Sequence, residues 1–233
     1  MWTIFGFSIF RDFIIFDLKN NLTISKNFIK CCKKVGIKNF IFSSTAAVYG
    51  NLNKNKKVSE KTTLKPISIY GQTKKKVEEY LERISDKNFK FFSLRYFNVI
   101  GADKKLRYGP IGLKNKSLTN NLFKSIEKST VFKIFGNNHK TLDKTPVRDF
   151  IHVDDVIRAI LKCFNNKKAV GNIINIGTGR PKKVKEIIGL IHRKIKTGYP
   201  QFGKIKLRKD EILRVYPKTS KAKKILQWWP IKN

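Results

Sequence analysis

Residues 38–44, Lys-Asn-Phe-Ile-Phe-Ser-Ser, hold a short continuous apolar run with an amphipathic stretch on either side. A strand apolar toward both faces needs helices packed above and below it. Upstream, Leu22, Ile24, Phe28, Ile29 and Cys32 recur at helical spacing over residues 20–35, and Gly36 closes that helix. Downstream, Pro66 and Ser68 precede a second helix from Tyr70 to Ile84, with Val77, Tyr80, Leu81 and Ile84 on one face. Residues 89–96, Phe-Lys-Phe-Phe-Ser-Leu-Arg-Tyr, form another buried strand. Helix, strand, helix, strand is the α/β alternation of a doubly wound parallel sheet.

From about 103 to 145 the chain turns basic and irregular, with a helix expected at 119–128 and a short strand at 131–135. A helix follows His152 over 153–164, and Asp154 and Asp155 suit its first turn, where the helix dipole favours acids. Residues 171–177 read as a further buried strand. Residues 182–196 read as an amphipathic helix with Val184, Ile187, Ile188, Ile191 and Ile195 inward, and residues 219–227 as a last short one.

Hydrophobic residues make up 41% of the 233, enough for a buried core. No apolar run is long enough to span a bilayer. The apolar start lacks a basic leading region and a small-residue cleavage site, and Arg11 and Asp12 interrupt it, so it is not expected to be a signal peptide. Cys31, Cys32 and Cys163 are too few and too badly spaced for a disulfide framework or a zinc site, which points to a cytoplasmic protein with reduced thiols and no metal. The net charge of +35 raises the question of nucleic acid. The excess is nearly all lysine, spread along a chain also rich in Asn, Ile and Phe, and reads as compositional drift. Nucleic acid is therefore not the expected partner, though a basic nucleic-acid-binding protein without catalysis is the alternative of a different class.

Tyr70 and Lys74 stand four apart on one helix face. A phenol is a poor base at neutral pH, and a nearby ammonium favours the phenolate. A tyrosine tuned in this way can take a proton from a sugar hydroxyl while hydride leaves the carbon. Thr45, at the end of the preceding strand, can offer a hydroxyl to the same substrate oxygen. The pair alone is a weak signal in so lysine-rich a chain, where Tyr70 also reads as a half-buried helix residue.

The context is more specific. Phe-Ile-Phe-Ser-Ser-Thr-Ala-Ala-Val-Tyr-Gly, Tyr-Gly-Gln-Thr-Lys, Leu-Arg-Tyr-Phe-Asn-Val-Ile-Gly-Ala-Asp, Val-Arg-Asp-Phe-Ile-His-Val-Asp-Asp and Asn-Ile-Gly-Thr-Gly follow one another in order. Together they resemble the extended short-chain dehydrogenase/reductase family, and within it the UDP-glucose 4-epimerases of galactose metabolism, from about residue 20 to 229. The resemblance implies a Rossmann-like fold, NAD as cofactor and a UDP-sugar as substrate. It implies Tyr70 as the catalytic acid and base, Lys74 as holder of the nicotinamide ribose that also lowers the Tyr70 pKa, and Thr45 as helper in proton transfer. Ser43, Ser44 and Tyr96 would line the cofactor side, and Phe97 and Asn98 would face the substrate. Asn121 and Leu122 would contact the uridine diphosphate, Arg148 and Arg208 its phosphates, and Glu211 the uridine ribose. From the residues alone, Arg148 reads equally as the ion-pair partner of Asp149 or Asp154, and Asn98 and Asn121 as loop or cap residues. Dimerisation would run through the 20–35 and 70–84 helices. Residues 1–102 would be what remains of the cofactor domain, and 103–233 mainly a substrate-binding lobe, with 146–178 returning to the first domain. Another nucleotide-sugar epimerase or a dehydratase is the neighbouring reading; a dehydratase should carry acids where Ala46 and Ala47 stand.

One family element has no counterpart. A Gly-x-x-Gly-x-x-Gly turn, whose backbone takes the cofactor pyrophosphate, occurs nowhere in the sequence. The chain thus reads as the C-terminal two-thirds of such an enzyme, with an incomplete doubly wound sheet, exposed strand edges and little or no turnover of its own.

Overall fold

A computed structural model describes residues 2–5, 16–51, 57–105, 125, 127–128, 130–135, 141, 143–166, 171–196, 199–205 and 211–232. Its main sheet is parallel throughout, in the order β1 (Trp2–Phe5), β2 (Asn39–Thr45), β3 (Lys90–Tyr96), β7 (Asn172–Ile176). Helices α1 (Phe16–Lys34) and α2 (Ile69–Ile84) cover one face, and α3 (Val153–Asn165) and α5 (Ser220–Leu226) the other.

Side-chain alternation along the strands explains the layering. Phe40 and Phe42 of β2 pack with Ile29, Cys32, Val77 and Leu81 under α1 and α2. Ile41, Phe92, Leu94 and Ile174 pack with Ala159, Cys163 and Leu226 on the opposite side. A strand apolar toward both faces has no other stable place, and the doubly wound, Rossmann-like sheet follows from it. Cys31 is exposed and Cys32 buried, as their neighbouring helical positions require.

Helix ends follow local chemistry. Gly36 adopts φ 79°, its N–H donates to Lys33 O and that of Ile37 to Cys32 O, which is the Schellman pattern. Ser68 caps α2, its Oγ accepting from Gly71 N at 3.1 Å. His152 caps α3 by accepting from Asp154 N at 3.2 Å, ahead of the two acids of the first turn.

Two smaller sheets flank the main one. β6 (Val147–His152) lies between β10 (Arg214–Val215) and β4 (Asn98–Ile100), both parallel to it, and also pairs antiparallel with β8 (Pro181–Lys183). β5 (Val131–Phe135) pairs in parallel with β9 (Tyr199–Ile205). Helix α4 (Val184–Ile195) packs Val184 and Ile188 against Phe150 and Phe202.

The structure adds strands that the sequence reading did not expect, β1, β4, β6, β8, β9 and β10. Residues 2–5 pair along β2, so β2 is an inner strand and not an exposed edge. β4 and β6 are strands that periodicity did not signal, because β6 carries Arg148 and Asp149 and β4 is only partly buried. The helix expected at 119–128 lies almost wholly outside the described residues.

The second face closes on Trp228, which is fully buried and whose Nε1 donates to Asp155 O at 3.0 Å. Trp228→Ala is expected to cost about 3–5 kcal/mol, seen in urea unfolding as a lower midpoint with an unchanged slope. An unaltered midpoint would mean that this packing contributes nothing.

Candidate active site

The site forms where β2 and β3 end, the edge at which open α/β sheets bind ligands. After Thr45 the chain makes a 3-10 turn over Ala46–Tyr49, and Thr45 Oγ1 caps it by accepting from Ala47 N at 3.2 Å. The first turn of α2 lies directly against this 3-10 turn. A Cβ at Gly71 would sit 2.5 Å from Ala47 O, so only glycine lets the two backbones approach this closely. That apposition sets Tyr70 beside the strand end that carries Thr45.

Lys74 follows one helical turn later and is 6% exposed. Its Nζ donates to Ser43 O at 2.8 Å and lies 4.8 Å from the centre of the Phe42 ring and 5.7 Å from that of Tyr70. Burial lowers the ammonium pKa to about 8, and the charge of Glu78 offsets part of the drop. Crowding by protein raises the Tyr70 phenol above its usual value, with the Thr45 side chain pulling the other way. Tyr70 is 48% exposed, so solvent tempers that rise. The expected lowering of the Tyr70 pKa by Lys74 is not seen, because the ammonium is turned to the Ser43 carbonyl. From the other face of the sheet, Tyr96 OH meets Ser43 Oγ at 3.2 Å, and burial pushes its phenol up to about 12.

Ser43, Thr45, Tyr70, Lys74 and Tyr96 therefore converge at one edge. Ser44 does not join them. It shares the α1/α2 face with Phe42 and stands in register with Arg95, and among the described residues its buried Oγ has no hydrogen-bond partner. Asn98 is held in β4 opposite Phe150, and Phe97 packs with Ala46, Val48 and Tyr49 beneath the turn.

Arg148 projects from β6 and pairs with Glu211, not with Asp149 or Asp154. Burial lowers the guanidinium pKa, and Glu211 opposes this. Asp149 is occupied elsewhere. Fully buried, it accepts from Thr178 N at 2.7 Å, Thr178 Oγ1 at 2.9 Å and Arg180 N at 3.2 Å, and so ties down the loop after β7. Asn121, Leu122 and Arg208 lie outside the described residues.

Sequence reasoning missed Glu78, Arg95, Tyr49 and Asn175, which form a buried polar group behind the site. The available signal was a charged residue inside each of two apolar patterns, Arg95 in β3 and Glu78 on the inward face of α2. Among the described residues no three His, Cys, Asp or Glu side chains are grouped to hold a metal, and no helix is long and apolar enough to cross a membrane.

Residues 16–177 match the family model described as the NAD dependent epimerase/dehydratase family. The chain is 35% identical over 227 residues to UDP-glucose 4-epimerase of Caenorhabditis elegans, covering 90% of this chain and 62% of that protein. It is 33% identical over 219 residues to UDP-glucose 4-epimerase of Dictyostelium discoideum, with the same coverage of 90% and 62%. It thus spans less than two-thirds of the length of these relatives. Among solved structures it is similar to UDP-glucose 4-epimerase of Bifidobacterium longum in complex with NAD+ and UDP, with a TM-score of 0.88 and 28% identity, covering 100% of this chain and 72% of that one. A similar match is UDP-glucose 4-epimerase of Stenotrophomonas maltophila with bound NAD and formylated UDP-arabinopyranose, at TM-score 0.87 and 25% identity over 100% and 72% of the two chains.

The depressed Lys74 pKa links to stability. Between about 8 in the folded chain and about 10.4 in the unfolded one, the unfolded state holds a proton that the folded state has lost. The Lys74 contribution to stability therefore rises with pH across that window, by about 3 kcal/mol at most. In urea unfolding at stepped pH, the parent should gain on Lys74→Met as pH rises from 7.5 to about 10. A constant difference would show that Lys74 titrates as an ordinary lysine.

Proposed function

Because the chain belongs to the NAD dependent epimerase/dehydratase family, we propose that its site inverts C4 of a nucleotide sugar, interconverting UDP-galactose and UDP-glucose. The observation that carries this reading is Tyr70 at the start of a helix laid against the turn that Thr45 begins, with buried Lys74 one turn further along and its ammonium 5.7 Å from the Tyr70 ring centre. That is the donor and acceptor set a sugar hydroxyl needs to give up and regain a proton.

Tyr70 takes the proton of the sugar 4-hydroxyl and returns it, with Thr45 sharing the substrate oxygen. NAD, held at its nicotinamide end by Lys74, Ser43 and Tyr96, would supply the hydride acceptor and donor for C4. Lys74 has three N–H donors, one of them spent on Ser43 O, and the others suit a ribose hydroxyl. Tyr96 and Ser43 line the same edge, and Ser44 would act on the cofactor side only from behind β2. These residues fit the nicotinamide end of the cofactor. The pyrophosphate end would rest on a glycine-rich turn, which these residues do not include.

On the substrate side, Arg148 and Arg208 would share the diphosphate as forked donors. Arg148 is neutralised by Glu211, so a diphosphate would displace that carboxylate toward the uridine ribose. Asn98, Asn121 and Leu122 would complete the pocket. Residues 1–102 and 146–178 would serve the cofactor, and the rest of 103–233 the substrate. Ile24 and Phe28 stay substantially exposed on α1 and would be covered in a homodimer built on α1 and α2. The unbridged cysteines suit a reducing cytoplasm.

The test is conversion of UDP-galactose by the purified chain in excess NAD, with UDP binding measured by calorimetry. Tyr70→Phe should bind UDP as the parent does and lose turnover on the order of 10²–10⁴-fold. A variant as fast as the parent sinks the proposal, as does a folded parent that neither converts UDP-galactose nor binds UDP.

A further inference from the structure

Tyr70, Lys74 and Glu78 occupy one face of α2 at successive turns. Glu78 is 1% exposed, and β3 takes up its carboxylate. Arg95 Nη2 donates to Oε2 at 2.7 Å, Arg95 Nε to Oε1 at 3.1 Å, and Ser93 Oγ to Oε1 at 2.8 Å. Arg95 is itself 2% exposed. Its Nη1 donates to Tyr49 OH at 3.0 Å, and Tyr49 OH donates to Asn175 Oδ1 at 2.7 Å. Asn175 closes the chain by donating from Nδ2 to Val58 O at 3.2 Å and from its backbone N to Glu60 Oε1 at 2.8 Å.

The network has members in α2, in β3 and in the turn that follows β2. Tyr49 ends the turn that Thr45 caps, Arg95 adjoins Tyr96, and Glu78 lies one turn beyond Lys74. The groups facing Lys74 are Tyr70 and Glu78 from its own helix, the Ser43 carbonyl and Phe42 ring from β2, and Arg95 of β3 behind Glu78. Of these, only Glu78 is an anion.

We infer that Glu78 is a positioning residue, locked to β3 by Arg95 and Ser93, which fixes the rotation of α2 and holds Lys74 as an ammonium ion facing Tyr70. The role rests on reading Tyr70 and Lys74 as the catalytic pair, but its test does not need turnover. A helix rotated by one residue would carry Gly71 and Lys75 to the strand ends instead. The bidentate grip prevents that rotation, because leaving either charge would strand its partner in the core. Glu78 also sets the balance at Lys74, where burial opposes the charge and this carboxylate supports it.

The experiment is an NMR titration of the whole chain labelled with ¹³C at the lysine ε-carbons and glutamate carboxyl carbons. In the parent, the Lys74 resonance should titrate near pH 8, and the Glu78 carboxyl carbon should shift through the same midpoint. In the double variant Glu78→Gln with Arg95→Gln, which strands neither charge, the Lys74 midpoint should fall by about one pH unit, a proton affinity about tenfold weaker. A folded double variant whose Lys74 midpoint is unmoved overturns the inference. So does a parent whose Glu78 carbon stays flat while Lys74 titrates, and that measurement decides the matter even if the double variant does not fold. Both resonances are readable in a chain that fails to convert UDP-galactose, so this inference and the proposed function can fail separately.

Discussion

The Arg95–Glu78 pair is the contact on which the geometry of the site depends. Both side chains are almost wholly removed from water, which costs several kcal/mol for each charge. Such a pair persists only where the fork of the guanidinium meets the carboxylate squarely and the leftover donors and acceptors are satisfied. Ser93 and Tyr49 satisfy them here. Apolar packing of Val77 and Leu81 against the sheet tolerates some sliding of α2. A two-pronged ion pair does not, and so the direction of Tyr70 is settled two turns away from Tyr70 itself.

The same contact shapes the electrostatics. The chain has 51 basic and 16 acidic residues, and salt screens charges on exposed side chains within about 8 Å. Lys74 is different in kind. It is buried, held by one carbonyl and two ring faces, and its charge is disfavoured by its surroundings. A lysine in that position needs a nearby carboxylate to stay protonated at neutral pH, and the carboxylate must be kept from combining with it. Arg95 does this by claiming the Glu78 oxygens. Arg148 and Glu211 show the alternative, a direct pair in which each neutralises the other.

Much of this could be read from the chain. The layering was legible in Phe40–Phe42 and Phe91–Leu94, because a strand apolar on both faces has one place to go. The pairing of Tyr70 with Lys74 was legible in their spacing, and Thr45 in its place at a strand end. The separation of Ser43 from Ser44 was not legible, because adjacent serines look alike in sequence while the pleat sends them to opposite faces. β6 was hidden because Arg148 and Asp149 break its apolar pattern, and the partner of Arg148 lies 63 positions away, beyond any local signal. The parallel pairing of residues 2–5 with β2 is likewise long-range and left no mark in either segment.

What sequence conceals most completely is contact between backbones. The chain leaves Thr45 through a turn that ends at Gly50, where φ is 69° and an added Cβ would lie 1.8 Å from Lys65 O. Gly71 stands in the same relation to Ala47. No rotamer can relieve such contacts, because both partners are main chain. A side chain at either position would drive the strand end and the helix start apart. The polar side chains would remain, but the approach of Tyr70 to the end of β2 would be lost. The polar residues gathered at this edge thus stand out in the sequence, whereas their separation is set by two glycines and a buried ion pair whose meaning appears only when the chain is folded.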